Sequence, residues 1–346
     1  MSTKAYAAFS ATAPLRAHTI QRRTPGPDDV AIDVMFCGIC HSDIHTAKSE
    51  WGPTQYPCVP GHEIVGKVVA VGKKVKRFKK GDFAGVGCFV DSCGKCAPCK
   101  GHEEQFCEKK TAFTYNSTEL DGKTPTYGGY SKHIVVKQKY VLKVKKGQPL
   151  ERIAPLLCAG ITTYSPLKRW GAKKGAKVGV VGLGGLGHMA VKIARAMGSE
   201  VTIFSTSPHK EADAKKLGAH HFILTKDPSG FAAVAGKFDL IIDTVSAKHD
   251  FTPYMASLKV GGTLALVGAA PEPSQIQAFS LIMGRKKIVG SLIGGIKETQ
   301  EMLDFCARKK VFSDVEVIPA AKINEAYERT LKSDVKYRFV IDTNTL

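Results

Sequence analysis

No run of about 18 consecutive apolar residues occurs in this chain, so a membrane-spanning helix is not expected. The opening stretch MSTKAYAAFSATAPL lacks a basic flank followed by an apolar core, so it does not read as a secretory signal. Acidic residues are scarce: 31 Asp and Glu stand against 50 Lys and Arg, a formal net charge of +19. That imbalance raises a nucleic-acid or acidic-surface partner as a question. A long basic arm with interleaved aromatics is missing, however, and the lysines lie in short clusters at 73–80, 143–146 and 286–287. Scattered charge is the weaker form of that signal, so no nucleic acid is expected, and attraction for an anionic cofactor accounts for the sign more simply. Internal repeats and low-complexity segments are also lacking, which excludes solenoid and disordered architectures.

What is present suits a two-domain globular protein. The chain has 346 residues, 43% of them hydrophobic. Residues 1–150 hold short β-like runs at 30–36, 63–71, 83–86 and 131–136, broken by Pro and Gly, and read as an irregular, mostly β domain. From 151 to 289 the texture alternates. Apolar strands are expected at 177–181, 200–205, 221–224, 238–243 and 263–267, with helices at 188–197 and 210–217, which is the pattern of a parallel α/β sheet. Residues 290–346, with a helix at 297–309 and a strand at 337–341, return to complete the first domain.

Ten cysteines at ligand-like spacings point to metal sites in a reducing, cytoplasmic setting. Cys93, Cys96, Cys99 and Cys107 are spaced C-x2-C-x2-C-x7-C in a lobe at about 88–110. Four thiolates saturate a tetrahedral Zn²⁺ and leave no open position, so this site reads as structural. Thiolate ligation also suits an iron–sulfur cluster, and disulfides use the same residues. The remaining thiols and imidazoles, Cys40, Cys58, Cys158 and His62 among them, are enough to build a second site.

Gly182-Leu183-Gly184-Gly185-Leu186-Gly187 fits G-x-G-x-x-G directly after one expected strand and before a helix. In that context the glycines permit a tight turn, close approach of backbone to a pyrophosphate, and close packing of helix on strand. The tip of the next strand usually carries Asp or Glu when the cofactor is NAD. Here it reads Ser205-Thr206-Ser207-Pro208-His209-Lys210. Hydroxyls and a lysine suit a 2′-phosphate, so the expected cofactor is NADP(H). The plainer role for these hydroxyls is to cap the following helix.

Three further segments, CGICHSDIH at 37–45, GHE at 61–63 and LLCAG at 156–160, are linked by no spacing rule. Local composition leaves Cys158 as a buried core thiol. Taken together, CGICHSDIH, GHE, the four-cysteine lobe, LLCAGIT and GLGGLG resemble zinc-dependent medium-chain alcohol dehydrogenases along essentially the whole chain. GHEIVGKVVAVG and the tail YRFVID resemble the cinnamyl alcohol dehydrogenase branch, especially its bacterial broad-range aldehyde reductases.

The resemblance implies a GroES-like catalytic domain beside a Rossmann domain, two zinc ions per chain, and hydride transfer between NADP(H) and primary alcohols or aldehydes. It implies a catalytic zinc on Cys40, His62 and Cys158, with Glu63 able to enter the metal shell, where the plainer role is a hydrogen-bond partner. Two thiolates and one imidazole leave a fourth position open, and such a metal stabilises a developing alkoxide as a Lewis acid. Ser42 and His45 match a proton relay, which an imidazole suits because its ordinary pKa is near neutrality. A surface histidine is the alternative for His45. Asp43 is expected to orient a ligating imidazole. His41 matches a phosphate contact, and Thr162, Thr244, Gly268, Ser291, Leu292 and Ile293 match cofactor-lining positions. Cys37, Cys58, Cys88 and Cys306 are expected to be packing thiols. Trp51, Phe113, Tyr115 and Leu292 are the expected pocket walls, with ordinary core packing as the alternative for each aromatic.

A polyol or secondary-alcohol dehydrogenase on the same scaffold is the nearest rival. A basic zinc-lobe protein that binds nucleic acid is the rival from another class. Relatives commonly pair edge strands of their cofactor domains, which implies a homodimer through 286–293.

Overall fold

The computed structural model describes every residue from Met1 to Leu346 except Pro271. The chain divides into two compact units, Met1–Cys158 with Gly294–Leu346, and Ala159–Ile293. These divisions fall later than residues 150 and 289. The turns at Leu150–Ile153 and Ala154–Leu157 stay with the first unit because Leu157 is 1% exposed and packs on the bare backbone at Gly85.

In the first unit a sheet runs in the order Val315–Pro319, Arg338–Asp342, Asp29–Gly38, Ile64–Val71, Phe83–Val86 and Leu142–Val144. His133–Lys137 also pairs with Asp29–Gly38. The strand Asp29–Gly38 is covered on both faces, which is why it reads as a nearly continuous apolar run rather than a strict alternation. Its antiparallel register places Cys37 opposite Ile64 on one side and Ile341 on the other. The return segment thus supplies two strands of this sheet and carries Arg338 to the level of His62 and Glu63, which immediately precede Ile64. Smaller pairs, Ser2–Ala7 with Arg16–Gln21 and Phe89–Ser92 with Thr111–Phe113, complete the β architecture.

The second unit is a six-stranded parallel sheet. Its order is His221–Leu224, Glu200–Ser205, Lys177–Val181, Phe238–Asp243, Leu258–Leu266 and Lys287–Gly290. The central strands are buried on both faces, and Phe204, Phe238, Ile241, Tyr254 and Leu264 fill one side of the core. Chain order reverses between Lys177–Val181 and Phe238–Asp243. In doubly wound sheets the crevice beyond the carboxyl ends of two such strands takes the ligand. The residues at those ends are Gly182 and Thr244. The helix that follows the second strand stops at Gly218, whose φ of 103° is the left-handed C-cap glycine favours. The class is α/β, an irregular mostly β unit and a doubly wound parallel sheet, as the sequence leads one to expect.

Candidate active site

Cys40 sits at the N-cap of the helix His41–Ala47. Asp43, one turn into that helix, reaches back to accept the Cys40 N–H at 2.8 Å, closing a capping box. The same carboxylate accepts the Gly61 N–H at 3.0 Å, faces His62 Nδ1 at 3.1 Å, and accepts the Tyr130 hydroxyl at 3.2 Å. Asp43 is fully buried, so these donors are what compensate its charge. With Nδ1 held by Asp43, His62 keeps Nε2 as its free ring nitrogen, the arrangement usual for a ligating histidine.

Cys158 joins this group from the end of the turn at Ala154–Leu157. Cys40, His62, Glu63 and Cys158 are all buried, and one ligand atom from each lies within 4.8 Å of the others. The two sulfurs are 4.0 Å apart. Bonds of about 2.3 Å at the tetrahedral angle require a sulfur–sulfur edge of roughly 3.8 Å. Cys40 is held well below the usual thiol range, first by its hydrogen bond with Cys158, against the opposing effect of burial, while that same bond pushes Cys158 up.

Glu63 Oε1 is ion-paired with Arg338, and both side chains are buried. Burial pushes Glu63 up to about 8, although Arg338 opposes it. Its other oxygen, Oε2, is buried with no hydrogen-bond partner. A buried acceptor without a donor, beside two thiols and a ring nitrogen, is what a divalent cation would satisfy. The donor set therefore fits zinc.

The lobe cysteines form a second group of the same kind, half-buried except for Cys99. Their sulfurs pair at 3.9 Å, Cys93 with Cys99 and Cys96 with Cys107. Backbone amides converge on them: Cys96 N–H donates to Cys93 Sγ at 3.4 Å, and Cys93 N–H to Cys107 Sγ at 3.4 Å. Burial alone would raise Cys107, yet amide donors from Cys93, Lys110 and Lys109 bring it down to about 6. All ten cysteines carry free thiols. Four converging thiols that are already amide-bonded fit a structural zinc.

In the second unit the glycine loop joins the strand Lys177–Val181 to the helix Gly187–Ala196. Gly182 has φ 88°, and a Cβ at Gly187 would lie 2.2 Å from the Gly182 carbonyl oxygen, so turn and helix packing both require glycine. Around Gly184 no atom approaches within 4 Å of where a Cβ would stand, which leaves open space at the position where backbone meets a pyrophosphate. Thr244 Oγ1 donates to the Val181 carbonyl at 2.7 Å, and Gly268 lies so close to the Val245 carbonyl, 2.4 Å from its would-be Cβ, that no larger residue fits. Ser205 closes its strand and accepts the Ser207 N–H at 3.2 Å. Thr206 is exposed, Ser207 and Lys210 are half-buried, and no carboxylate occupies the strand tip. This loop and tip fit a dinucleotide that carries a 2′-phosphate.

Residues 26–146 match the alcohol dehydrogenase GroES-like domain, and residues 185–308 match the zinc-binding dehydrogenase family. Over its whole length the chain is 56% identical to NADP-dependent alcohol dehydrogenase C 1 of Mycolicibacterium smegmatis, covering 99% of that protein. The chain belongs to the zinc-binding alcohol dehydrogenase family. This dehydrogenase is also 53% identical to aldehyde reductase YahK of Escherichia coli, over 100% of this chain and 99% of that one. It is 52% identical to a probable mannitol dehydrogenase of Fragaria ananassa, over 99% and 95%. The crystal structure of CAD from Helicobacter pylori complexed with NADP(H) superposes with a TM-score of 0.93 at 47% identity, covering 99% of each chain.

The remaining expected residues of this dehydrogenase fall in several places. Ser42 Oγ lies 3.6 Å from Cys40 Sγ. His45 is three residues further along the same helix, hence on the same side. Its Nδ1 pairs with Glu50, and its ring stacks on Trp51 at 4.7 Å. His41 is exposed, with its ring 6.2 Å from that of His45. Thr162 is buried within the helix Ala159–Arg169. Ser291 donates its N–H to the Leu266 carbonyl at 3.1 Å.

Of the expected pocket walls, Tyr115 is buried and stacks on His62 at 5.7 Å. Trp51 is engaged with His45 and 59% exposed, and Leu292 is exposed on the second unit. Phe113 is exposed too, opposite Phe89 in a two-stranded pair. Cys37, Cys58 and Cys306 are buried, and burial pushes Cys58 and Cys306 up to about 12.

Sequence reasoning missed four contributors. Glu50 completes the carboxylate–imidazole pair at His45. Arg338 balances Glu63. Tyr130 donates to Asp43. Cys88, expected as a packing thiol, also donates to the Leu157 carbonyl at 3.8 Å, and interaction with Cys158 lowers its pKa. Only Arg338 left a trace, in the tail segment YRFVID, and nothing local assigned it a partner.

Proposed function

We propose that this dehydrogenase catalyses reversible hydride transfer between NADP(H) and primary alcohols or aldehydes, over a broad aromatic and aliphatic range. The observation that carries the reading is the buried convergence of Cys40, His62 and Cys158 beside an unsatisfied Glu63 oxygen. A zinc held there supplies Lewis-acid stabilisation to an oxygen that gains negative charge. The chain's own residues do the rest. Asp43 fixes the His62 ring. Ser42, on the helix that begins at Cys40, passes the proton towards His45. The pairing of Nδ1 with Glu50 leaves His45 Nε2 free to exchange that proton. Tyr115 packs over His62 and keeps water from the metal ligands. Ser205, Thr206, Ser207 and Lys210 supply hydroxyls and a cation for a 2′-phosphate, which favours NADP(H) over NAD(H).

The experiment is an NADPH-oxidation screen across aromatic and aliphatic aldehydes, with zinc measured on the same sample. Turnover with two zinc ions per chain is expected. Equal efficiency with NADH would defeat the cofactor assignment. The likeness to a probable mannitol dehydrogenase favours polyol oxidation as a second reading. Faster NADP-dependent oxidation of mannitol than of cinnamyl alcohol would make it the first.

We also infer a homodimer in the cytoplasm. Lys287–Gly290 is an edge strand, and Phe279, Ile282 and Met283 are 71%, 64% and 80% exposed just before it. An unpaired edge beside an apolar patch suits pairing with a second copy. A sedimentation mass near 37.3 kDa rather than twice that would reject the dimer. Ten unpaired thiols support a reducing compartment. No helix among the described residues is long and apolar enough to cross a membrane.

A further inference from the structure

One strand over from the glycine loop, the second unit buries a carboxylate. Asp243 ends the strand Phe238–Asp243 and is 3% exposed. Its Oδ1 accepts the Val245 N–H at 3.0 Å, and its Oδ2 lies 3.0 Å from His249 Nε2. Across the His249 ring, Nδ1 donates to the Ala247 carbonyl at 2.9 Å. An imidazole with one proton has a donor on one nitrogen and a lone pair on the other. Here Nδ1 must carry the proton, because a carbonyl only accepts. A neutral ring would then turn its Nε2 lone pair towards a carboxylate. Nε2 makes no aligned hydrogen bond, so charge is what joins it to Asp243. Both nitrogens therefore call for the imidazolium, and His249 is held above its ordinary pKa, first by Asp243.

The other groups around the ring do not compete for its charge. Phe251 and Tyr254 meet it edge-on at 5.0 and 5.8 Å, and burial pushes the Tyr254 phenol up, so it stays neutral. Asp250 accepts the Thr252 N–H at 2.8 Å and adds a weaker attraction for the ring proton. Lys248 is taken up by Glu272 at 2.9 Å. The balanced carboxylate in turn holds a brace. Val245 Cγ2 stands 3.1 Å from where a Cβ on Gly182 would be, and the Val245 carbonyl oxygen 2.4 Å from a Cβ on Gly268. The Asp243 carbonyl accepts the Gly268 N–H at 3.1 Å. Asp243 and Val245 thus join the first residue of the glycine loop to Gly268, and all of these residues lie within one compact unit.

We propose that His249 is a positioning residue for NADP(H) binding: as an imidazolium it balances Asp243 and keeps Val245 where it braces Gly182 and Gly268. The proposal rests on the reading of the glycine loop as the cofactor site. Loss of the ring proton takes the cation away from a buried carboxylate. Such a charge draws in water or a proton, and Val245, bonded to the same carboxylate, shifts with it. NADP(H) affinity accordingly falls as pH rises through the titration of His249. By linkage, bound cofactor must move that titration to higher pH.

The test is the NADPH dissociation constant from about pH 6 to about pH 9 for the wild-type protein and His249→Gln, with NMR of ¹³C-labelled histidine in the wild type. At about pH 6 the variant should bind NADPH about tenfold more weakly than wild type, and at about pH 9 within about twofold of it. The ratio of the two cancels the titration of the cofactor's own 2′-phosphate, which both share. In the wild type, saturating NADPH should raise the midpoint of the His249 titration by about one pH unit, the counterpart of a tenfold coupling. A ratio that does not change with pH would mark a packing role and overturn the proposal, as would a His249 midpoint unmoved by NADPH. Where His249→Gln does not fold, the wild-type titration decides, its signal assigned by correlation with Lys248 and Asp250. Failure of the wild type to bind NADPH at any pH would remove the cofactor reading and this proposal together, whereas normal binding with a flat ratio removes the proposal alone.

Discussion

The two thiol clusters of this dehydrogenase use the same chemistry in opposite surroundings. The lobe cluster is contiguous in sequence, half-exposed, and wrapped by its own backbone amides. The other is drawn from three distant segments, is buried throughout, and keeps one carboxylate oxygen unsatisfied. A site that closes on four thiols leaves no position for a substrate. A site of two thiols, one imidazole and an acid with one oxygen uncommitted has capacity left for a reacting oxygen. The difference lies in how many ligands are supplied and in what surrounds them, and it predicts that damage to the two clusters will register on different instruments.

The sharpest way to break the contrast is Cys158→Ala. Zinc content should fall to one ion per chain. Turnover should fall at least about 10³-fold, since a metal of this kind contributes about 4 kcal/mol or more to the transition state. Full turnover with one zinc would show that the buried cluster is not catalytic. Cys107→Ser should act on the lobe instead. It should cost about 3 kcal/mol of stability and lower the thermal midpoint by roughly 6–12 °C, while folded molecules still turn over. Loss of turnover at an unchanged midpoint would reverse the roles. Ser42→Ala should lower turnover about 100-fold with both zinc ions retained, because it interrupts the proton path and no ligand. Unchanged turnover would remove Ser42 from the relay. The smallest effect belongs to the second unit. Lys210→Ala should raise the KM for NADPH about tenfold and leave that for NADH alone, and a matched rise for both would mean that Lys210 does not read the 2′-phosphate.

The parts of this molecule that were legible in the sequence are those whose partners are near neighbours. The lobe shows in the spacing of Cys93, Cys96, Cys99 and Cys107, and the glycine loop shows in six consecutive residues. The strands Lys177–Val181, Glu200–Ser205 and Phe238–Asp243 fall where continuous apolar runs place them, because burial on both faces leaves a local signature. Cys158 is the opposite case. Its neighbours in sequence mark it as a core thiol, and only family resemblance linked it to Cys40 and His62. Trp51 and Phe113 are expected pocket walls from the sequence; in the fold Trp51 stacks on His45 and Phe113 stands exposed in a two-stranded pair. Aromatic identity records the area a side chain can bury and is silent on its partner.

Amino-acid order alone determined the two-domain class, the four-thiol lobe, the phosphate loop and the absence of an acid at the second strand tip. Each rests on backbone geometry or ligand spacing within a few residues. The ion pair of Glu63 with Arg338, the hold of Asp43 on His62, the carboxylate behind His45 and the capping of Ile296 by Glu104 were decided only when the chain folded. These contacts join positions far apart in sequence or depend on the path of a loop. Burial converts all but the His45–Glu50 pair, which stays at the surface, from weak, solvated encounters into constraints, because a buried charge or donor must find its partner within the fold.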